Sequence, residues 1–320
     1  MNDPLLIIRE LTKYFPAGRK GFFGPKKYIK AVDNVSLTLN ETETLGLVGE
    51  SGCGKSTLGR TVLKLLEPSS GSIVYDHQEI TELSGKAMKP FRKHMQMIFQ
   101  DPYASLNPRM TVDGIVGEPL KVHRLATNKH EYDDQIKELL RVVGLSSSVR
   151  NRYPGEFSGG QRQRIMIARI LATNPKLVIC DEAVSALDVS IRSQILNLLA
   201  DLRESFGMTY IFISHDLGVV KYISDRIAVM YLGKIVEMAD TNELYSSPAH
   251  PYTRSLLGSI PSIRGSSVLN VLAGEIPSPI DTPVGCYFHP RCVNALPICK
   301  ETAPLLQERE KGHWVACHLR

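Results

Sequence analysis

Residues 49–57 read GESGCGKST and follow an apolar run, TLGLV, at 44–48. The pattern G-x-x-x-x-G-K-[ST], set between a strand and a helix, is that of a phosphate-binding loop. Its nine residues are Gly49, Glu50, Ser51, Gly52, Cys53, Gly54, Lys55, Ser56 and Thr57. The glycines let backbone N–H groups close around a β-phosphate, and the start of the following helix adds favourable partial charge. Lys55 can reach β- and γ-phosphate oxygens, and the Ser56 hydroxyl can ligate Mg²⁺. Cys53 stands at the start of that helix, a position that tends to lower a thiol's pKa and expose it to alkylation; the alternative is a small filler residue of ordinary reactivity.

Working outward, the spacing predicts a helix from about Gly54 to Leu66. Further strands are predicted at SIVY (72–75), MQMIF (95–99), KLVIC (176–180), TYIFIS (209–214) and RIAVMY (226–231). Apolar on both faces and separated by helical patterns, the longer ones suggest a mostly parallel sheet. Two carboxylates end the KLVIC strand. Asp181 suits the Mg²⁺ shell, and Glu182 is placed to polarise an attacking water. Gln100 closes the MQMIF strand and can touch Mg²⁺ or that water, while His215, after TYIFIS, can reach a γ-phosphate. Paired acids, with no N-K-x-D guanine signature, point to an ATP hydrolase rather than a kinase or G protein.

From Asp101 to Asn174 the character turns helical, as in a subdomain inserted into the sheet. EYDDQIKELLRVVG (131–144) sets Ile136, Leu139, Leu140 and Val143 on one face. A helix over 191–206 carries a stripe of Ile191, Ile195, Leu198, Leu199, Leu202 and Phe206, which reads as a core face. Within the insert, EFSGGQRQR (156–164) looks like a second phosphate grip at a helix start. One chain needs only one such loop for its own nucleotide. The second grip makes physical sense if it takes the γ-phosphate of another chain's ATP, with two chains facing head to tail.

A net charge of +5, with only short basic pairs at Arg19-Lys20 and Lys26-Lys27, does not suggest a nucleic-acid binder. No stretch has the length of a membrane span, and the start, MNDPLLIIRE, is too short in its apolar run for a signal peptide, so a cytoplasmic chain is expected. Seven of the nineteen prolines fall beyond residue 260, which argues for an irregular appendage that needs a dock or a staple. Cys286, Cys292, Cys299 and Cys317 crowd into that region. In a reducing compartment such a cluster suggests metal more than disulfides.

GESGCGKST, Gln100, FSGGQ, LVICDE, SALD and His215 occur in the order found in ATP-binding cassette (ABC) ATPases. The stretches FQDPYASLNPRMTV (99–112), FSGGQRQRIMIAR, SALDVSIRSQILNLL and HPYTRSLLGSIP (250–261) further resemble the ATPase subunit of a bacterial or archaeal dipeptide/oligopeptide importer. The resemblance implies an α/β fold: a P-loop NTPase core sheet (RecA-like, ABC-type) with an inserted α-helical subdomain and a small Cys-containing C-terminal extension. Residues 1–260 would form the nucleotide-binding domain, with the helical insert at about 101–174, and 261–320 the extension. It also implies ATP and Mg²⁺ as ligands and a signature loop of Phe157, Ser158, Gly159, Gly160 and Gln161 at the partner's ATP. Ser185, Ala186, Leu187 and Asp188 would form the dimer-interface loop. The implied partners are a second ATPase chain (self or paralogue), two membrane permeases and, indirectly, an extracellular binding protein, with no nucleic acid. The chain would then sit peripherally on the cytoplasmic face of the cell membrane.

Two departures stand out. Ala183 follows Glu182 where the family usually has proline, which loosens a turn that a fixed φ would hold. Phe157 opens the signature where leucine is usual. Resemblance places an adenine-stacking aromatic after the first strand: Phe15 fits, and the insertion GRKGFFGPKKY makes Tyr28 its rival. The cysteine spacing lacks the short hooks of zinc knuckles, whereas iron–sulfur clusters accept irregular spacing. A [4Fe–4S] cluster, which resemblance favours, stands against Zn²⁺ (with His289, His313 or His318 as further ligands) and against free thiols. Cargo is peptide by default, with nickel, sugars or other solutes as alternatives. A non-transport ABC clamp is the rival class.

Overall fold

A computed structural model describes residues 4–19, 26–259 and 275–319. The expected boundary at residues 260/261, the segment after it and Lys20 lie outside the described residues. The chain forms two compact units, one of residues 1–40, 44–82 and 213–320, the other of 41–43 and 83–212.

The first unit contains two sets of strands. Pro4–Arg19 and Lys26–Asn40 pair antiparallel, and Ser70–Tyr75 and Gln78–Glu79 extend the sheet beyond Pro4–Arg19. Along Lys26–Asn40, Val35, Leu37 and Leu39 are buried while Asn34, Ser36 and Thr38 face solvent, the alternation of a half-covered sheet. The SIVY strand belongs here rather than in a parallel sheet. Ile73 and Tyr75 are buried and their neighbours are not, so it has one buried face, as antiparallel sheets allow.

The second set of strands runs Gln307–Glu310, His313–Val315, Lys234–Asp240, Arg226–Tyr231, Thr44–Val48. Thr44–Val48 and Arg226–Tyr231 pair in parallel, and the pairs toward the C-terminal strands are antiparallel. Lys234–Asp240 was not anticipated, because Glu237 interrupts its apolar run. The structure buries Glu237 completely and satisfies its carboxylate, which accepts from the Ala249 N–H (2.7 Å) and His250 N–H (2.9 Å) and pairs with His313 Nε2 (2.8 Å). A buried carboxylate is tolerable only with such partners.

The second unit carries strands in the order Thr209–Ile213, Leu177–Asp181, Met95–Ile98, the last two parallel. Its helices start where the side chains can cap them: Thr111 before Val112–Val122, Asn128 before Lys129–Val142 and Ser158 before Gly159–Leu171 each accept a backbone N–H. Of the face expected on 131–144, Ile136, Leu140 and Val143 are buried and Leu139 is half-buried. The long helix Val189–Phe206 buries Ile195, Leu198, Leu199 and Leu202 as expected, and also Leu196. The stripe fails at its ends, with Ile191 half-buried and Phe206 43% exposed. Among the described residues no helix is long and apolar enough to cross a membrane.

Candidate nucleotide site

In the first unit, Thr44–Val48 delivers the chain into the loop and Lys55–Val62 leaves it. Two glycines are sterically required. A Cβ on Gly49 would lie 2.2 Å from the Met230 carbonyl oxygen, and one on Gly54, whose φ is +110°, 1.9 Å from that of Ala31. The buried Lys55 ammonium donates to the carbonyls of Gly49 (2.8 Å) and Glu50 (2.9 Å) and approaches Cys53 Sγ at 3.6 Å. In this arrangement the Lys55 donors are held by the loop's own acceptors, which phosphate oxygens would replace. Ser56 follows Lys55 in the first helical turn, half-buried.

The sequence leaves Cys53 open between a primed thiol and a small filler. The residue is buried, and that burial, the largest influence, pushes its thiol pKa up, with Glu50 adding to the rise and Lys55 opposing it. Desolvation opposes the lowering that a helix start gives, which favours the filler reading.

The loop is also held from behind by the C-terminal region. Tyr252 Oη accepts the Glu50 N–H at 2.9 Å. Arg291 donates through both Nη atoms to the Glu50 carboxylate, at 2.7 and 3.0 Å. Tyr252, Tyr231 and Phe288 pack as an aromatic triad with centroids 4.7–5.4 Å apart, contacts worth roughly 0.5–1.5 kcal/mol each beyond area burial. His250 packs on Phe288 and accepts the Tyr252 N–H through Nδ1. Burial, with Arg309 adding, pushes the His250 pKa down to about 3. These long-range partners were absent from the sequence reading. HPYTRSLLGSIP singled out Tyr252 without a role, and nothing local marks Arg291.

The tail is otherwise moored by Tyr287, which with Tyr14 donates to Asp33, by Lys27–Asp281, and by His313–Val315 pairing with Lys234–Asp240. Burial favours a neutral Asp33, yet the hydrogen bonds of Tyr14 and Tyr287 and the charge of Lys234 hold its pKa below the usual value. The expected metal staple is not a formed site: among the described residues no group of three or more His, Cys, Asp or Glu can hold a metal ion. The histidines offered as zinc ligands have other partners: His313 pairs with Glu237, His289 Nδ1 with the Cys286 carbonyl, and His318 Nε2 with that of Thr302. Burial first, then the charges of Cys299, Cys317 and Cys292, push Cys286 up to about 11, against a lowering hydrogen bond from the Phe288 backbone.

The other expected residues of this unit are His215 and the two aromatics. His215 is exposed, directly before Asp216, which caps the helix Leu217–Ile223. Phe15 and Tyr28 sit in neighbouring registers of the first two strands, opposite Ile29 and Pro16 respectively. Phe15 is half-buried with the Lys13 ammonium 5.0 Å from its ring, and Tyr28 is 40% exposed.

In the second unit, Asp181 ends its strand with its side chain buried. Glu182 has φ +50°, a left-handed conformation uncommon outside glycine and enriched at functional sites. Gln100 Nε2 donates to Glu182 Oε2 at 2.9 Å, so the two residues expected to handle water meet directly. Ala183 is buried, and the Ser185 N–H and Oγ both donate to the Glu182 carbonyl, closing the turn that proline usually stiffens. Ala186, Leu187 and Asp188 continue to the start of Val189–Phe206.

The signature helix Gly159–Leu171 starts in a capping box. Ser158 Oγ accepts the Gln161 N–H, and Gln161 Oε1 accepts the Ser158 N–H. Phe157 is buried under the Arg152 guanidinium. A Cβ on Gly160 would meet Ile191 Cγ2 at 2.4 Å, whereas one on Gly159 would find only Leu187 Cδ2, at 3.6 Å.

With this geometry in view, comparison with known proteins is decisive. The family profile described as "ABC transporter" matches residues 32–185, and "Oligopeptide/dipeptide transporter, C-terminal region" matches 236–299. The oligopeptide transport ATP-binding protein AppF of Bacillus subtilis is 53% identical, over 99% of this chain and 98% of that protein.

The chain belongs to the ABC transporter ATPases.

The oligopeptide transport ATP-binding protein OppF of Escherichia coli is 47% identical over 98% of this chain and 95% of its own. A solved dimeric ATP-binding cassette in a post-hydrolysis state, bound to ADP and phosphate, superposes with a TM-score of 0.66 at 29% identity, covering 74% of this chain and 98% of that one. This ABC ATPase is thus an ATP hydrolase for which ATP and Mg²⁺ are the expected ligands. Its C-terminal profile spans Glu237, His250, Tyr252, Phe288 and Arg291, the residues that back the phosphate loop.

Proposed function

We propose that this chain is the ATP-hydrolysing subunit of a membrane importer for dipeptides or oligopeptides, acting at the cytoplasmic face as one of two ATPase chains docked on two permeases. The observation that carries it is one chain combining a formed phosphate loop with an oligopeptide-transporter C-terminal region. Lys55 and the loop amides take the β- and γ-phosphates. Ser56, Gln100 and Asp181 are the residues assigned to Mg²⁺, which when bound neutralises the phosphate oxygens. Glu182, held by Gln100, polarises the water for in-line attack, His215 contacts the γ-phosphate, and Phe15 or Tyr28 stacks on adenine. The protein supplies positioning and charge stabilisation rather than covalent chemistry. Ser158–Gln161 serves the partner's nucleotide, with 185–188 at the dimer interface.

Replacing Ser158 and Gly159 together leaves monomer ATP affinity near normal and removes hydrolysis at the partner's site. Mixed with a Lys55→Ala chain, this variant restores at most one composite site per dimer. Loss of ATP binding by the monomer would put the grip in cis. Cargo is read by ATP-dependent peptide uptake into vesicles holding the complete complex, with nickel and sugars as competing cargoes.

The iron–sulfur reading of the tail is narrower. The crowding of Cys286, Cys292, Cys299 and Cys317 in the sequence supports it, and the absence of a ready ligand group among the described residues weighs against it. Iron and acid-labile sulfide near four each per chain in anaerobically purified protein would establish the cubane. One zinc, or no metal, would reject it.

A further inference from the structure

The glutamate at the second position of the phosphate loop needs an explanation. A loop that receives a triphosphate is a poor place for a carboxylate, since like charges repel. Glu50 nevertheless contributes its backbone carbonyl to Lys55, so it belongs to the cradle itself. Its side chain reaches Arg291, 241 residues away in the chain, in a two-pronged pair with the guanidinium only 4% exposed. Its N–H is fixed by Tyr252, a fully buried residue 202 positions distant. Arg291 in turn faces Tyr231, with its guanidinium carbon 5.9 Å from the ring centroid, and Tyr231 packs against Tyr252 and Phe288.

From these contacts we infer that Arg291 and Tyr252 are positioning residues for ATP: they hold Glu50 so that the loop keeps its phosphate-binding shape and its one carboxylate is neutralised. The C-terminal region is then part of the nucleotide site's support, not only a transporter-specific appendage. Two physical effects combine. Backbone held at Glu50 costs less ordering when phosphate binds, and a bidentate guanidinium pair removes a charge that would oppose the incoming anion. The carboxylate is felt inside the loop, since it contributes to the raised pKa of Cys53.

This inference rests on the ATP reading of the loop. The test uses the full chain and titrates a fluorescent ATP analogue with Mg²⁺ into wild type, Arg291→Ala, Arg291→Lys and the double variant Arg291→Ala/Glu50→Gln. Arg291→Ala is expected to weaken affinity about tenfold, the factor carried by one charge-assisted hydrogen bond. The double variant, which removes the stranded carboxylate, regains at least half of that loss on a logarithmic scale. A merely structural role for Arg291 would give no such rescue. Affinity of Arg291→Ala within twofold of wild type overturns the inference, as does a double variant no better than the single one. If Arg291→Ala does not fold, Arg291→Lys decides: weakening of more than twofold supports the positioning role, and anything less overturns it. Wild-type protein that fails to bind the analogue would overturn the ATP reading, and this inference with it.

Discussion

The phosphate loop of this chain and its proposed second grip are held in opposite ways. The loop at 49–57 is fixed by distant residues: Tyr252 and Arg291 at Glu50, the Ala31 carbonyl beneath Gly54, the Met230 carbonyl beneath Gly49. The signature at 157–161 carries its own cap, Ser158 and Gln161 bonding each other's backbone three residues apart. The first grip therefore depends on the completed fold of its unit, whereas the second is formed once its helix forms. The difference fits their proposed tasks. A loop that encloses phosphate in its own chain needs rigid walls, while a grip offered to another chain must present an open helix start.

The largest expected effect falls on chemistry, leaving both grips intact. Glu182→Gln keeps ATP binding and slows turnover by roughly 10²–10⁴-fold, the span of a positioned base. The variant is expected to accumulate as an ATP-bound dimer, visible by size-exclusion chromatography. Turnover within threefold of wild type would remove Glu182 from its assigned role.

A paired substitution then separates the grips. Gly54→Ala forces a side chain into the Ala31 carbonyl at a positive φ, at a cost above about 3 kcal/mol, and should abolish nucleotide binding or the fold of its unit. Gly159→Ala meets only Leu187 Cδ2 at 3.6 Å. It should leave the melting temperature within a few degrees and affect only hydrolysis by the dimer. Equal damage from both, measured by thermal unfolding and nucleotide titration, would erase the contrast.

The smallest effect probes the buried support. His250 has its pKa depressed from 6.5 to about 3 by burial, so the folded state prefers the neutral ring. The unfolded chain binds a proton between those values and the folded chain does not, so stability is complete above about pH 6.5 and declines as pH falls toward 3. The limit is about 1.4 kcal/mol per pH unit. His250→Asn, which can still accept the Tyr252 N–H, should flatten the acid dependence of unfolding across that window. An unchanged slope would show that other groups carry it.

Local features were legible. The phosphate loop, the acid-ended strand, Gln100 and the signature helix each carry their pattern in short spacing; the signature cap closes on neighbours close in sequence, whereas the loop and Gln100 take partners from far along the chain. Strand Lys234–Asp240 escaped because Glu237 looks like a surface residue until His313 and two amides satisfy it. Which sheet SIVY joins was not legible, because four residues do not reveal how many faces are covered. The end positions Ile191 and Phe206 continue the helical period without full burial, Ile191 half-buried against Gly160 and Phe206 left 43% exposed. Burial at Cys53 favours the small-filler reading over a primed thiol, because a helix start is a local cue and burial is not.

By itself, the sequence determined the family, the order of chemical groups and the self-capped signature, since these depend on residue type and short spacing. Only the tertiary structure decided that Arg291 and Tyr252 hold Glu50, that Gln100 meets Glu182, and that the tail is moored by an aromatic triad and strand pairing. Those contacts join residues separated by tens to hundreds of positions. No periodicity encodes such partners; they are selected when burial leaves each polar group to find a hydrogen bond.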